Sequence, residues 1–156
     1  MISGVADRMP EKVASLVYLD AFPPENGQSC FSMLPPDRRP TTVPGEDWLV
    51  APRTSAGFDL KHRKVTELLE RKCTPHPLAT LTQPVQLIGG ISRIKQKMYI
   101  MATDPARFTR FYDRLKNDPG WTVYTLPALI SFGSKCLTNR RPSCLRRFLD
   151  AARRPK

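Results

Sequence analysis

A strand–helix–strand unit at residues 97–126 constrains this chain more than any other feature. Lys97-Met-Tyr-Ile-Met-Ala102 is a short apolar run of the length expected for a buried strand. Asp104 followed by Pro105 reads as a helix start, with Asp104 as the N-cap and Pro105 in the first helical position. Phe108, Phe111, Tyr112 and Leu115 then fall at i, i+3, i+4 and i+7, one face of a helix. Asn117-Asp-Pro-Gly120 stops that helix, and Trp121-Thr-Val-Tyr-Thr-Leu126 forms the next strand. Two strands joined by a helix within about 30 residues make a βαβ unit, which requires a parallel sheet and a right-handed crossover.

A second apolar run, Val13 to Leu19, suits the same sheet. It is bounded by charges before it and by Pro23-Pro24 after it, and it reads as a strand buried on both faces. Asp20 stands at its C-terminal end, the end at which open α/β sheets bind ligands. Residues 1–12 read as the end of a helix and a turn, with Met1, Val5 and Met9 at helical spacing.

Between these parts lies a segment of different character. Phe22 to Gly57 carries Pro, Ser or Gly turn chemistry every few positions, as in Leu34-Pro-Pro-Asp37 and Val43-Pro-Gly-Glu-Asp-Trp48. A loop of that length in a compact domain is expected to be a lid or binding excursion. Leu60 to Lys72 follows as a helix with Val65, Leu68 and Leu69 on its apolar face. Pro75 and Pro77 end it, and Thr82 to Gly90 closes on the Gly89-Gly90 turn.

Charge is unevenly distributed. The net charge is +11, yet residues 128–156 alone hold eight Lys and Arg against one acid, Asp150. That tail is the chain's one positive binding signal. Arg140-Arg141, Arg146-Arg147 and Arg153-Arg154 would attract phosphates non-specifically. Phe148 is the only aromatic interleaved with them, so a solvated tail is the stronger reading and nucleic acid is not expected as a partner. No apolar run reaches the ~20 residues of a bilayer span, so no membrane partner is expected. The N-terminus lacks a secretory pattern, and the four cysteines form no CxxC pair. A cytoplasmic protein with free thiols is expected.

The segments taken together resemble the α/β-hydrolase esterases, in particular the bacterial group related to plant methyl esterases and hydroxynitrile lyases. Val17-Tyr-Leu-Asp-Ala-Phe22 with Pro24-Glu-Asn-Gly-Gln-Ser29 is similar to that family's sixth-strand region. Thr74-Pro-His-Pro-Leu-Ala-Thr80, Tyr99-Ile-Met-Ala-Thr103, Asp118-Pro-Gly-Trp121 and Leu126-Pro127 follow in the family's order. The resemblance covers roughly residues 1–127 and implies carboxylic ester hydrolysis, a small-molecule ester as substrate and no cofactor.

It also implies machinery that the sequence lacks. The family's nucleophile is a Ser on a Gly-x-Ser-x-Gly elbow, and its base is a His following the last of these strands. Ser3 has no flanking glycine pattern and falls inside the first helix, so it is not read as the nucleophile. No His follows His76. The elbow is expected just before Met1, and residues 128–156 are read as a tail in a shifted reading frame. The resemblance places the acid near Asp104, which otherwise simply caps its helix. Asp20 is read first as hydrogen-bonded to local backbone. His62 and His76 read as surface or loop-structuring residues. Cys73 and His76 lack the second ligand pair that zinc needs, and Gly89-Gly90 lacks the Lys-Ser/Thr of a phosphate loop. Trp48 and Phe58 are candidates for an acyl pocket.

The expectation is therefore an α/β chain: a partial α/β-hydrolase sheet of about three parallel strands, a lid at about 30–80 and a basic tail at 128–156. Its function would be that of a truncated esterase-type hydrolase, inactive alone. A third reading is complementation, in which an upstream partner chain supplies the first five strands. Without one, the open edge of the first strand favours aggregation. The alternative is a small basic protein that binds nucleic acid or acidic surfaces through its tail.

Overall fold

The computed structural model describes residues 2–52, 63–103 and 106–126. The basic tail, His62, Phe58 and Asp104 with Pro105 lie outside the described residues. The described chain is α/β. Its main sheet has three parallel strands in the order β1-β5-β6, with β1 at Leu16–Leu19, β5 at Lys97–Ala102 and β6 at Thr122–Leu126. Tyr18 is level with Tyr99, and Tyr99 with Val123. Helix α5 (Thr109–Lys116) makes the crossover from β5 to β6 and packs on both strands.

The core lies between that helix and one face of the sheet. Leu16 and Tyr18 of β1, Tyr99 and Met101 of β5, and Phe111 and Leu115 of α5 form one buried cluster with Ala6, Met33 and Ile94. Phe108 and Tyr112 flank it, so all four positions of the apolar stripe contribute to the core. The central strand β5 is buried on its other face as well, through Ile100 and Ala102. β1 is not buried on both faces as its sequence suggests, because Val17 is half-buried and Leu19 is 48% exposed. As an edge strand it has a neighbour on one side only among the described residues.

Helix α1 (Ile2–Arg8) precedes β1, and a 3-10 turn at Pro10–Lys12 links the two. It buries Ser3, Ala6 and Asp7, whereas Val5 and Met9 of the spaced apolar set, together with Ile2, face outward, and Met1 lies outside the described residues. The Asp7 carboxylate holds it in place. Its Oδ2 accepts the Ile88 N–H and its Oδ1 the Ile91 N–H at 3.0 Å. Gly90 approaches the Asp7 carbonyl so closely that no Cβ fits there, and Gly89 has φ +90°. The Gly-Gly turn is thus a docking point for α1.

Residues between β1 and β5 build a second, antiparallel sheet. Its strands are β2 (Thr42–Val43), β3 (Glu46–Val50) and β4 (His76–Pro77), in the order β2-β3-β4. Gly45 at φ +79° makes the β2–β3 turn. Three helices accompany this sheet: α2 (Cys30–Met33), α3 (Arg63–Lys72) and α4 (Ala79–Thr82). Ser29 caps α2 through a reciprocal bond with Ser32. Pro and Gly turns were expected across this stretch, and the strand of Glu46–Val50 was not. At α5 the cap differs from expectation, for the helix begins at Thr109 with Phe108 in the N-cap position. Phe108 leaves helical geometry to set its ring against Phe22, so packing rather than an Asp cap fixes the helix start.

Candidate functional site

The C-terminal ends of β1 and β5 meet at Asp20. Its backbone N–H donates to the Ile100 carbonyl at 2.7 Å, which extends the ladder by one residue. Its φ of 45° then turns the chain out of the sheet. A left-handed residue costs about 1 kcal/mol, and Asp is one of the few side chains that tolerate it. Asp20 Oδ1 accepts the Ala102 N–H at 3.1 Å. The partner is therefore the end of the neighbouring strand and not local backbone, which corrects the sequence-based expectation. Oδ2 is shut off from solvent with no hydrogen-bond partner among the described residues. Burial pushes the Asp20 carboxyl above the usual carboxylate range, and the Ala102 N–H and the Arg107 guanidinium oppose that shift only in part.

Two residues beyond Asp20, Phe22 lines a cavity. Ala21 O accepts the Tyr99 hydroxyl at 3.1 Å. Burial and the nearby Asp20 charge push that phenol well above its ordinary value. Phe22 stacks edge-on against Phe108 at 4.8 Å and Phe111 at 5.7 Å, which anchors the turn to α5. Beyond Phe22 opens a cavity of about 510 Å³ between α2, the antiparallel sheet and the loop after α3. Phe22, Cys30, Leu34, Val50, Cys73 and His76 line it. A mostly apolar wall of this size suits a small organic molecule.

Of the other candidates, Ser3 is buried, and its hydroxyl is hydrogen-bonded to that of Tyr18 at 2.7 Å. His76 is exposed, pairs with Val50 through β4 and borders the cavity. Cys73 borders the same cavity. Among the described residues no group of three His, Cys, Asp or Glu side chains is placed to hold a metal ion. Trp48 is 63% exposed and lies outside the cavity wall, so it does not form the expected pocket. The cavity residues Cys30 and Leu34 escaped the sequence reading, since nothing in their spacing distinguishes them from ordinary packing.

No family model matches the sequence. The chain is 36% identical over 141 residues to a carbendazim hydrolyzing esterase of Nocardioides sp. (strain SG-4G). Its relative is an esterase. The alignment takes in 81% of this chain and 58% of that protein, so the chain spans less than two thirds of its relative's length. The likeness supports an esterase or hydrolase family, without singling out the plant methyl esterase group. No helix among the described residues is long and apolar enough to cross a membrane.

Proposed function

We propose that this chain contributes the C-terminal sheet edge and an acyl-pocket wall to a carboxylic ester hydrolase of the α/β-hydrolase kind. The likeness to an esterase over most of the chain carries this reading. The apolar cavity beside the strand ends supports it, because ester binding needs a water-poor pocket next to the reacting groups. The antiparallel sheet and its helices form the lid in this reading, and residues 1–127 form one domain.

The 156 residues alone do not turn over esters in this proposal. Acyl transfer needs an activated hydroxyl, a base and an oxyanion hole. The sequence contains no Gly-x-Ser-x-Gly and no His beyond His76. Further strands beside β1 would bring these groups.

Two measurements test the proposal. Purified chain should hydrolyse short-chain nitrophenyl esters no faster than background, and activity that tracks with the chain would overturn the inactive reading. Apolar esters, with carbendazim as a further ligand, should shift the amide signals of Val50 and Leu34. Val50→Trp, which fills the cavity, should abolish those shifts. Ligand shifts that persist in this variant, or no shifts at all, would remove the pocket from the proposal.

A further inference from the structure

Two of the chain's four cysteines border one cavity. Cys30 opens helix α2, where the Ser29–Ser32 capping box fixes its position. Cys73 follows Lys72, the last residue of α3. The two come from separate elements and stand in the same wall, with Phe22, Leu34, Val50 and Leu81 around them. Neither thiol has a role in ester hydrolysis as proposed above.

Packing does not account for them. A cysteine kept as a small core hydrophobe is fully buried and fills its space. Cys30 and Cys73 are half-buried and border a volume of about 510 Å³. The surroundings also select what can reach them. A reagent must enter a mostly apolar cleft before it meets sulfur, and a polar group carried into that cleft loses water without gaining a partner. An apolar reagent held there meets the thiols as a bound neighbour rather than by free collision.

We propose that this cavity is a covalent capture site for small apolar disulfides, with Cys73 and Cys30 as the accepting thiols, and that the captured group closes the pocket to esters. The closure rests on the ester-pocket reading above, whereas the capture does not. A cysteine thiolate attacks one sulfur of the disulfide, a new S–S bond to the protein forms, and the ligand's own S–S bond breaks. The released half leaves as a thiolate and takes up the proton that the cysteine gave up. No further oxidant or reductant is needed. The retained half then occupies the volume beside Val50 and Leu34.

Propyl and hydroxyethyl methanethiosulfonate are the probes. Both transfer an alkylthio group to a thiolate with the same sulfinate leaving group, both are uncharged, and they differ by a methyl against a hydroxyl. On the full chain, the propyl reagent should label Cys30 and Cys73 at least about tenfold faster than the hydroxyethyl reagent, once each rate is divided by that of the same cysteine in the urea-unfolded chain. Peptide mass spectrometry reads each site. No preference for the propyl reagent, or labelling confined to Cys136 and Cys144, overturns the proposal. Val50→Trp and Leu81→Trp each fill the cavity and should slow propyl labelling at both sites by a similar factor. Wild-type labelling rates in either variant, with its circular dichroism unchanged, overturn the proposal too. The propyl-capped chain should lose the ester-induced shifts of the Val50 and Leu34 amides and regain them when a reducing thiol removes the cap. Ester shifts that persist in the capped chain sink the closure. Propyl preference without any ester shifts sinks the ester-pocket reading alone, and ester shifts without propyl preference sink this inference alone.

Discussion

Asp7 and Asp20 are similar residues with opposite effects on stability. Burial alone would raise the Asp7 carboxyl, but the N–H groups of Ile88, Ile91, Gly90 and Gly89 outweigh it and hold it below its ordinary value. A depressed folded-state value means that Asp7 stabilises the fold above about pH 4 and loses that contribution as pH falls through the folded value. Asp20 is raised, so its share is present below about pH 4 and is lost as pH climbs through its folded value. Asp7→Ala should therefore cost about 3 kcal/mol at neutral pH, because it strands two backbone donors at the Gly-Gly turn. Urea melts at several pH values check both the size and the sign. The difference between Asp7→Ala and wild type should shrink as the buffer is taken below pH 4, and a pH-independent difference would show that the charge is not the cause.

At the scale of elements, α5 is the helix the parallel sheet depends on. Phe111 and Leu115 are each 5% exposed, and Phe111 also meets the ring of Phe22 and the guanidinium of Arg110 at 4.4 Å. Phe111→Ala should cost about 3–5 kcal/mol, and Tyr112→Ala on the half-buried flank should cost clearly less. Equal losses in chemical denaturation would contradict the assigned face. This helix and strand β5 were legible in the sequence because their patterns are strong and local: four residues on one stripe, six apolar-run residues for one central strand. Strand β3 was not, because Glu46, Asp47 and Trp48 are all exposed and leave no alternation to read. Its register comes from the Gly45 turn and from tertiary partners such as the Leu78 N–H on the Trp48 carbonyl at 2.7 Å. The Asp20 site was half legible. A carboxylate at a strand end is visible in sequence, but its partner Ala102 is 82 residues away and its orphan oxygen exists only in three dimensions.

Over the whole molecule, one side is closed and the other open. The α5 side of the sheet carries the buried cluster. The β1 side has no strand beyond it among the described residues, and parallel geometry turns the N–H groups of Val17 and Leu19 away from β5. On that strand Leu19 is 48% exposed, and elsewhere helix α1 turns out Ile2 at 59% and Val5 at 57%. An unpaired edge and an outward apolar helix face each favour association with another chain. The purified chain should accordingly self-associate as its concentration rises, despite a net charge of +11 that opposes contact between copies. Added salt should strengthen the association by screening that repulsion, the reverse of what salt does to a contact held by opposite charges. Val5→Lys with Leu19→Lys places charge on both exposed surfaces and should shift the chain towards monomer, with its circular dichroism unchanged. Light scattering across a concentration and salt series checks this. A wild-type chain that stays monomeric throughout would mean that residues outside the described segments already cover the β1 side.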